Sequence, residues 1–275
     1  MKKALIVAIG YKDPLNGYEF WGSFNDGFNI ANLLFHKYGY EYDNIRILSD
    51  LDGYAMPTKR NVIQGIKWLV KDASAGDSVV FCYFGHGGQQ QDNNNDEGDQ
   101  NDELLCTLGR ALVDDELYSQ LFARLPKGVR ATCIVDACHS GTIADQPFIG
   151  TFPPLPWKKP QRIEITQNST GSLCEADVVS FSGAKDDQSS YEWDLQFDPI
   201  VLFPSGPRYP YVTDPNRKNN RTGIVSAHLV QSLMSEPPIE QPVQILRKMH
   251  IACKGSNTPC ISASREGLFS EVFYM

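Results

Sequence analysis

No stretch of this 275-residue chain is apolar for anything like the ~20 residues that crossing a bilayer requires, which argues against a membrane partner. The opening MKKALIVAIGYKD imitates a secretory leader for a few residues. Its apolar part, Ala4–Ile9, is too short, and no small-residue cleavage site follows, so a first buried strand is expected there. Basic patches are missing too: 25 Lys and Arg stand against 33 Asp and Glu, a net charge of −8, so nucleic acid is not expected as a partner. Six of the acids fall in residues 92–103 (DNNNDEGDQNDE) with no base among them, so the excess is local and needs its own explanation. The seven cysteines lack metal-finger spacing, and Cys82 and Cys133 sit inside apolar runs, where a free thiol acts as a small hydrophobe. That usage favours a reducing compartment, cytoplasmic or nuclear. Cys253 and Cys260 are read as two unpaired loop thiols rather than a disulfide. No internal repeat is visible.

What is present is strand-like runs separated by helical ones. Strands are expected at Ala4–Gly10, Asn44–Ser49, Ser78–Phe84, Arg130–Val135, Asp177–Ser182 and Glu271–Tyr274. Helices are expected at Asn25–Tyr38, Thr58–Ala73, Asp114–Arg124, Gly223–Ser235 and Gln241–Cys253, with Thr58 as an N-cap and Gly39 as a C-terminal stop. Such alternation predicts an α/β fold, a mostly parallel sheet flanked by helices on both faces. Three stretches break the rhythm: the acidic Asp92–Asp102, and the Pro-, Ser- and Asn-rich Asp145–Glu175 and Ser189–Arg221.

Two segments carry the chemistry. VVFCYFGHGG (Val79–Gly88) ends a buried run in His86 between glycines, and ATCIVDACHSG (Ala131–Gly141) ends another in Cys138 beside Asp136, His139 and Ser140. Ligands of open α/β sheets bind beyond the carboxyl ends of the strands. A thiol and an imidazole at two such ends point to a nucleophile and its base. The glycines let a substrate approach closely, with the Gly87 and Cys138 amides as candidate oxyanion donors. His139 is the rival base, but its neighbouring position turns it away from the thiol in an extended chain.

These residues resemble caspase-type cysteine peptidases, and DACHSGT together with FSGAKDDQ (Phe181–Gln188) and VDDEL (Val113–Leu117) resembles the metacaspases in particular. The similarity runs through most of residues 3–190 and resumes at Thr222–Leu233. The resemblance implies a caspase-like fold in one peptidase domain over residues 1–275. Residues 1–145 would be large-subunit-like, 146–175 a connecting loop, and 176–275 small-subunit-like with an unmatched insertion at 189–221. It implies endopeptidase cleavage after Arg or Lys by a Cys138–His86 dyad in a monomer, with Asp26 and Asp136 as the acids that receive the basic side chain. It also implies calcium, at the matching Asp102, Asp114, Asp115 and Asp145; the string Asp92–Gly98 is not an EF-hand, because its glycine is one place late.

The chain departs from the family where Phe84 replaces a small serine before Gly-His and where Ser23 stands for a frequent cysteine. The segment between Asp102 and Asp114 is shorter than usual, and control by an N-terminal prodomain is not expected from a strand that starts this early. Self-cleavage would fall at a basic residue in the irregular stretches, among them Lys158, Lys159, Arg162, Lys185, Arg217, Lys218 and Arg221. The alternatives are a legumain-like or gingipain-like peptidase on the same framework, or a calcium-responsive scaffold that has lost turnover.

Overall fold

The apolar runs that read as strands line up side by side. The computed structural model describes residues 1–15, 17–91, 101–138, 140–156, 161–168, 173–185, 192–194, 209, 221–235, 237–254, 258–273 and 275. In chain order its main elements are β1 Lys2–Ala8, α1 Gly22–His36, β2 Ile45–Ser49, α2 Lys59–Val70, β3 Ser78–Phe84, β4 Gly87–Gln91, β5 Asn101–Leu105 and β6 Leu112–Val113. There follow α3 Asp114–Gln120, β7 Arg130–Asp136, β8 Phe148–Thr151, β9 Glu164–Gln167, β10 Asp177–Ser182, β11 Glu192–Asp194, β12 Arg221–Gly223, α4 Ile224–Met234, α5 Pro242–Cys253 and β13 Cys260–Ala263.

Eight strands form one sheet in the order β9-β8-β13-β10-β7-β3-β1-β2. The five from β10 to β2 are parallel, and the remaining three add antiparallel at one side. Side chains alternate across a strand. Thus Ala4, Ile6 and Ala8 of β1 enter one core with α1, α4 and α5, while Leu5 and Val7 enter a second core with α2 and α3. Helices therefore cover both faces, as the α/β alternation predicts. Thr58 does cap α2, its hydroxyl accepting the Asn61 N–H at 3.3 Å. Beyond α1, Gly39 takes the left-handed turn (φ +68°) that returns the Tyr40 N–H to the Leu34 carbonyl. No helix among the described residues is long and apolar enough to cross a membrane.

Three expectations are corrected. Glu271–Phe273 is not a strand, and Tyr274 lies outside the described residues. Phe273 instead donates its N–H to the Glu240 carbonyl and buries its ring against Phe181, while the closing strand is the earlier β13. The stretch Asp145–Glu175 is not wholly irregular, since it supplies β8 and β9. Cys253 and Cys260 are not loop thiols: they end α5 and open β13, and both are buried and outside any disulfide. Most of the acidic segment, His139 and most of Ser189–Arg221 lie outside the described residues; the ends of the last pair as β11 and β12.

Candidate active site

Strands β3 and β7 are parallel neighbours whose register sets Phe84 opposite Asp136. His86 and Cys138 each follow two residues later, so they leave the same edge of the sheet at the same level. The approach is close: a methyl group on Gly87 would run into the Cys138 carbonyl and meet the Ala137 side chain. Only glycine permits that packing. Cys138 is half-buried and not in a disulfide, in a turn where the Ser140 hydroxyl donates to the Ala137 carbonyl at 2.9 Å. Phe84 is fully buried in the core with α1, so the departure from serine fills interior space rather than narrowing the cleft.

His86 is held, backbone and ring, by groups that sequence reasoning missed. Its N–H donates to the Tyr11 hydroxyl at 2.7 Å, and its carbonyl accepts from the Tyr83 hydroxyl at 2.7 Å and the Cys106 N–H at 3.0 Å. Its ring packs against both Tyr11 and Phe20, each 4.6 Å away by ring centres, the two being 6.1 Å from each other. Its Nε2 stands 3.3 Å from Oε1 of Glu19. Tyr11 takes a left-handed backbone (φ +52°) and also donates to the Cys106 carbonyl at 2.7 Å, tying three segments together. Its hydroxyl would clash with a side chain at Gly85. One signal in the sequence was available: a tyrosine directly after Gly10 at a strand end. Glu19 had none, because its partner lies 67 residues away in the sequence. The Cys106 thiol is also near Cys138, and burial pushes it up from the usual thiol range.

Asp26 and Asp136 come together, from α1 and the end of β7, around Gly223 at the start of α4. Both Asp26 carboxylate oxygens accept the Gly223 N–H, at 2.8 and 2.9 Å, and Oδ1 also accepts from the hydroxyls of Thr222, at 2.5 Å, and Ser226. Asp136 Oδ2 accepts the Val225 N–H at 2.9 Å. A side chain at position 223 would collide with both acids. The positive end of α4 thus faces two buried carboxylates. Burial, and after it the charge of Asp136, push the Asp26 carboxyl well above the usual range.

The four remaining aspartates are less assembled. Asp102 and Asp114 are buried on or beside β5: Asp102 Oδ2 accepts from Gln90 Nε2 at 2.8 Å, and Asp114 Oδ2 accepts the Glu103 N–H at 2.9 Å. Asp114 Oδ1 accepts the Asp115 N–H at 2.8 Å, and burial raises the Asp114 carboxyl to about 6. Asp145 is buried in a left-handed turn (φ +44°). An all-oxygen acidic set, three of its four members buried, fits the donor chemistry of calcium. Yet among the described residues no three His, Cys, Asp or Glu side chains converge closely enough to hold an ion.

Comparison with known proteins adds the family context. Residues 2–147 match the model of the family described as "Metacaspase, peptidase C14 domain". Metacaspase-1 of Meyerozyma guilliermondii is 31% identical, the match covering 96% of this chain and 69% of that protein. Metacaspase-1 of Arabidopsis thaliana is 37% identical over 69% of this chain and 53% of its own length. Among solved structures, a Geobacter sulfurreducens protein superposes with a TM-score of 0.62 at 18% identity, over 99% of each chain. The structure of pro-sf-caspase-1 does so with a TM-score of 0.54 at 10% identity, over 100% of this chain and 94% of that one. The fold is caspase-like.

Proposed function

The chain belongs to the metacaspase family and carries its cysteine-type peptidase domain, and on that premise we propose an endopeptidase that cleaves after Arg or Lys. Cys138 attacks the scissile carbonyl as a thiolate, and His86 takes the thiol proton and returns it to the leaving amine. The carrying observation is the register: His86 and Cys138 leave adjacent parallel strands at one level, packed through Gly87. The Gly87 and Cys138 amides are the proposed oxyanion donors, each such donor contributing roughly 3–4 kcal/mol in comparable sites.

Specificity for a basic side chain rests on Asp26 and Asp136. Burial and the charge of Asp136 hold down the ionisation of Asp26, and an arriving guanidinium or ammonium relieves that cost. The same site offers little to an acidic side chain. Calcium enters as a regulator rather than a reagent. Asp102, Asp114, Asp115 and Asp145 would hold it, and what it supplies is neutralisation of buried negative charge beside the β4–β5 ladder that continues from His86. Every residue named belongs to one chain, so the reading needs no second copy.

Hydrolysis of matched fluorogenic peptides ending in Arg, Lys or Asp, with calcium and with chelator, tests all of this. The expected result is Arg and Lys cleavage that needs calcium and is lost in Cys138→Ala and in His86→Ala. Asp26→Ala or Asp136→Ala should cost Arg turnover at least 100-fold, the scale of a lost buried charge partner. Full turnover by Cys138→Ala sinks the nucleophile, and cleavage indifferent to chelator sinks the calcium site. Failure of every peptide, with no self-cleavage in calcium, would favour the scaffold alternative.

A further inference from the structure

The Cys138–His86 pair leaves one question of proton placement open, and the residue against the far nitrogen of the imidazole answers it. Resting on the dyad reading above, we propose that Glu19 is the positioning residue of His86, holding the ring in the one tautomer that can take the Cys138 proton. A neutral imidazole carries its proton on one nitrogen, and the hydrogen bond made by that nitrogen decides which. An ionised carboxylate only accepts, and Glu19 Oε1 stands 3.3 Å from Nε2. On this proposal Nε2 carries the proton towards Glu19, and Nδ1 keeps the lone pair.

The surroundings leave the ring little other freedom. Tyr11 and Phe20 each pack against it at 4.6 Å and against each other at 6.1 Å, so together they cover one side of the ring and restrict its rotation there. The backbone of His86 is fixed by Tyr11, Tyr83 and Cys106. Glu19 is anchored in its turn: its N–H and that of Phe20 both donate to the Gly10 carbonyl, at 2.8 and 3.0 Å, at the end of β1. When His86 takes the thiol proton, the new imidazolium faces a carboxylate already in place. The Glu19 side chain is 58% exposed, so the effect is smaller than that of a buried triad acid.

Glu19 also lines a cleft of about 520 Å³ with Tyr11, Asp50, Asp52, Met56 and Leu108, which makes contact with substrate the competing role. Kinetics on the full chain with calcium and an Arg peptide separate the two. Glu19→Gln is expected to lower kcat roughly 10- to 100-fold with KM within twofold of the parent. Glu19→Asp should keep most of the activity, and added formate should restore Glu19→Ala in a concentration-dependent way without affecting the parent. Independently of turnover, ring nitrogen-15 shifts of His86, taken at a pH where the ring is neutral, should report one tautomer in the parent and a mixture in Glu19→Gln. A raised KM at constant kcat would overturn the proposal in favour of a substrate contact. Kinetics and ring shifts unchanged in all three variants would reduce Glu19 to a surface ion pair. Turnover by Cys138→Ala or His86→Ala would instead overturn the dyad on which the proposal rests.

Discussion

At the residue scale, Asp114 shows what burying a carboxylate costs and what relieves it. It opens α3 with Asp115 and Glu116 in the same first turn, where negative charge is favoured, and both its oxygens meet backbone N–H groups. Burial still wins, holding the carboxyl at about 6 against the ordinary 3.8. A folded-state value above the unfolded one means that the native protein binds more protons between the two. Stability contributed by this group is therefore complete below about pH 4, declines as pH rises to about 6, and stays down above it, by roughly 3 kcal/mol at most. Asp114→Asn should flatten that slope in a thermal-melt series across pH 4 to 7. Calcium at neutral pH should raise the melting temperature of the parent and leave the variant nearly unmoved. A variant with the parent's slope and the parent's calcium shift would remove Asp114 from the metal-binding set.

Elements explain what the sequence reveals and what it hides. The strands β3 and β10 stand where apolar runs such as SVVFCYF and DVVSFS predict them, because a strand buried on both faces is written as a continuous run. The flanking strands β8 and β13 are only four residues each, FIGT and CISA, too short and too small-residued to stand out, while Glu271–Tyr274 reads as a strand but Phe273 and Met275 serve as core plugs. The same logic divides the site. Cys138, His86, Asp26 and Asp136 sit at strand ends or on a helix with recognisable motifs around them. Tyr11 and Glu19 flank a short antiparallel pairing of Lys12–Asp13 with Gly17–Tyr18, and their importance arises only when β1 and β3 pair. The junction of β3 with β4 is the least tolerant element: position 87 faces backbone, the Cys138 carbonyl, which cannot swing away as a side chain can. Gly87→Ala is therefore expected to destabilise the fold by about 1–3 kcal/mol and to cut kcat at least 100-fold. Gly53→Ala is the control, since nothing stands within 4 Å of a methyl group there and only its left-handed backbone (φ +95°) is strained. Equal activity in the two variants would mean that the approach of the loops is not what assembles the site.

Taken as a whole, the molecule interleaves its early and late sequence. Strand β13, from near the C-terminus, lies between β10 and β8, pairing Val179–Ser182 on one side and Phe148–Gly150 on the other. Helix α4 carries its positive end to Asp26 and Asp136, both supplied by the first half of the chain. The basic residues expected as self-cleavage points differ in setting. Arg162 and Lys185 are exposed, Arg221 lies within β12 with its carbonyl accepting from Asn25 Nδ2 at 3.0 Å, and Lys158, Lys159, Arg217 and Lys218 lie outside the described residues. A cut between Lys185 and Arg221 would leave one fragment holding β1 to β10 and another holding α4, α5 and β13, with the second fragment's strand locked inside the first fragment's sheet. Such a nick breaks one peptide bond and none of the sheet ladders that join the fragments. The nicked protein is accordingly expected to migrate as a single species in size exclusion without denaturant, to run as two bands after denaturation, and to keep its Arg peptidase activity. An engineered site for an unrelated protease in that segment of Cys138→Ala tests the assembly without self-cleavage. Fragments that part in native buffer would show that the continuous chain, rather than the interleaved sheet, holds the two halves together.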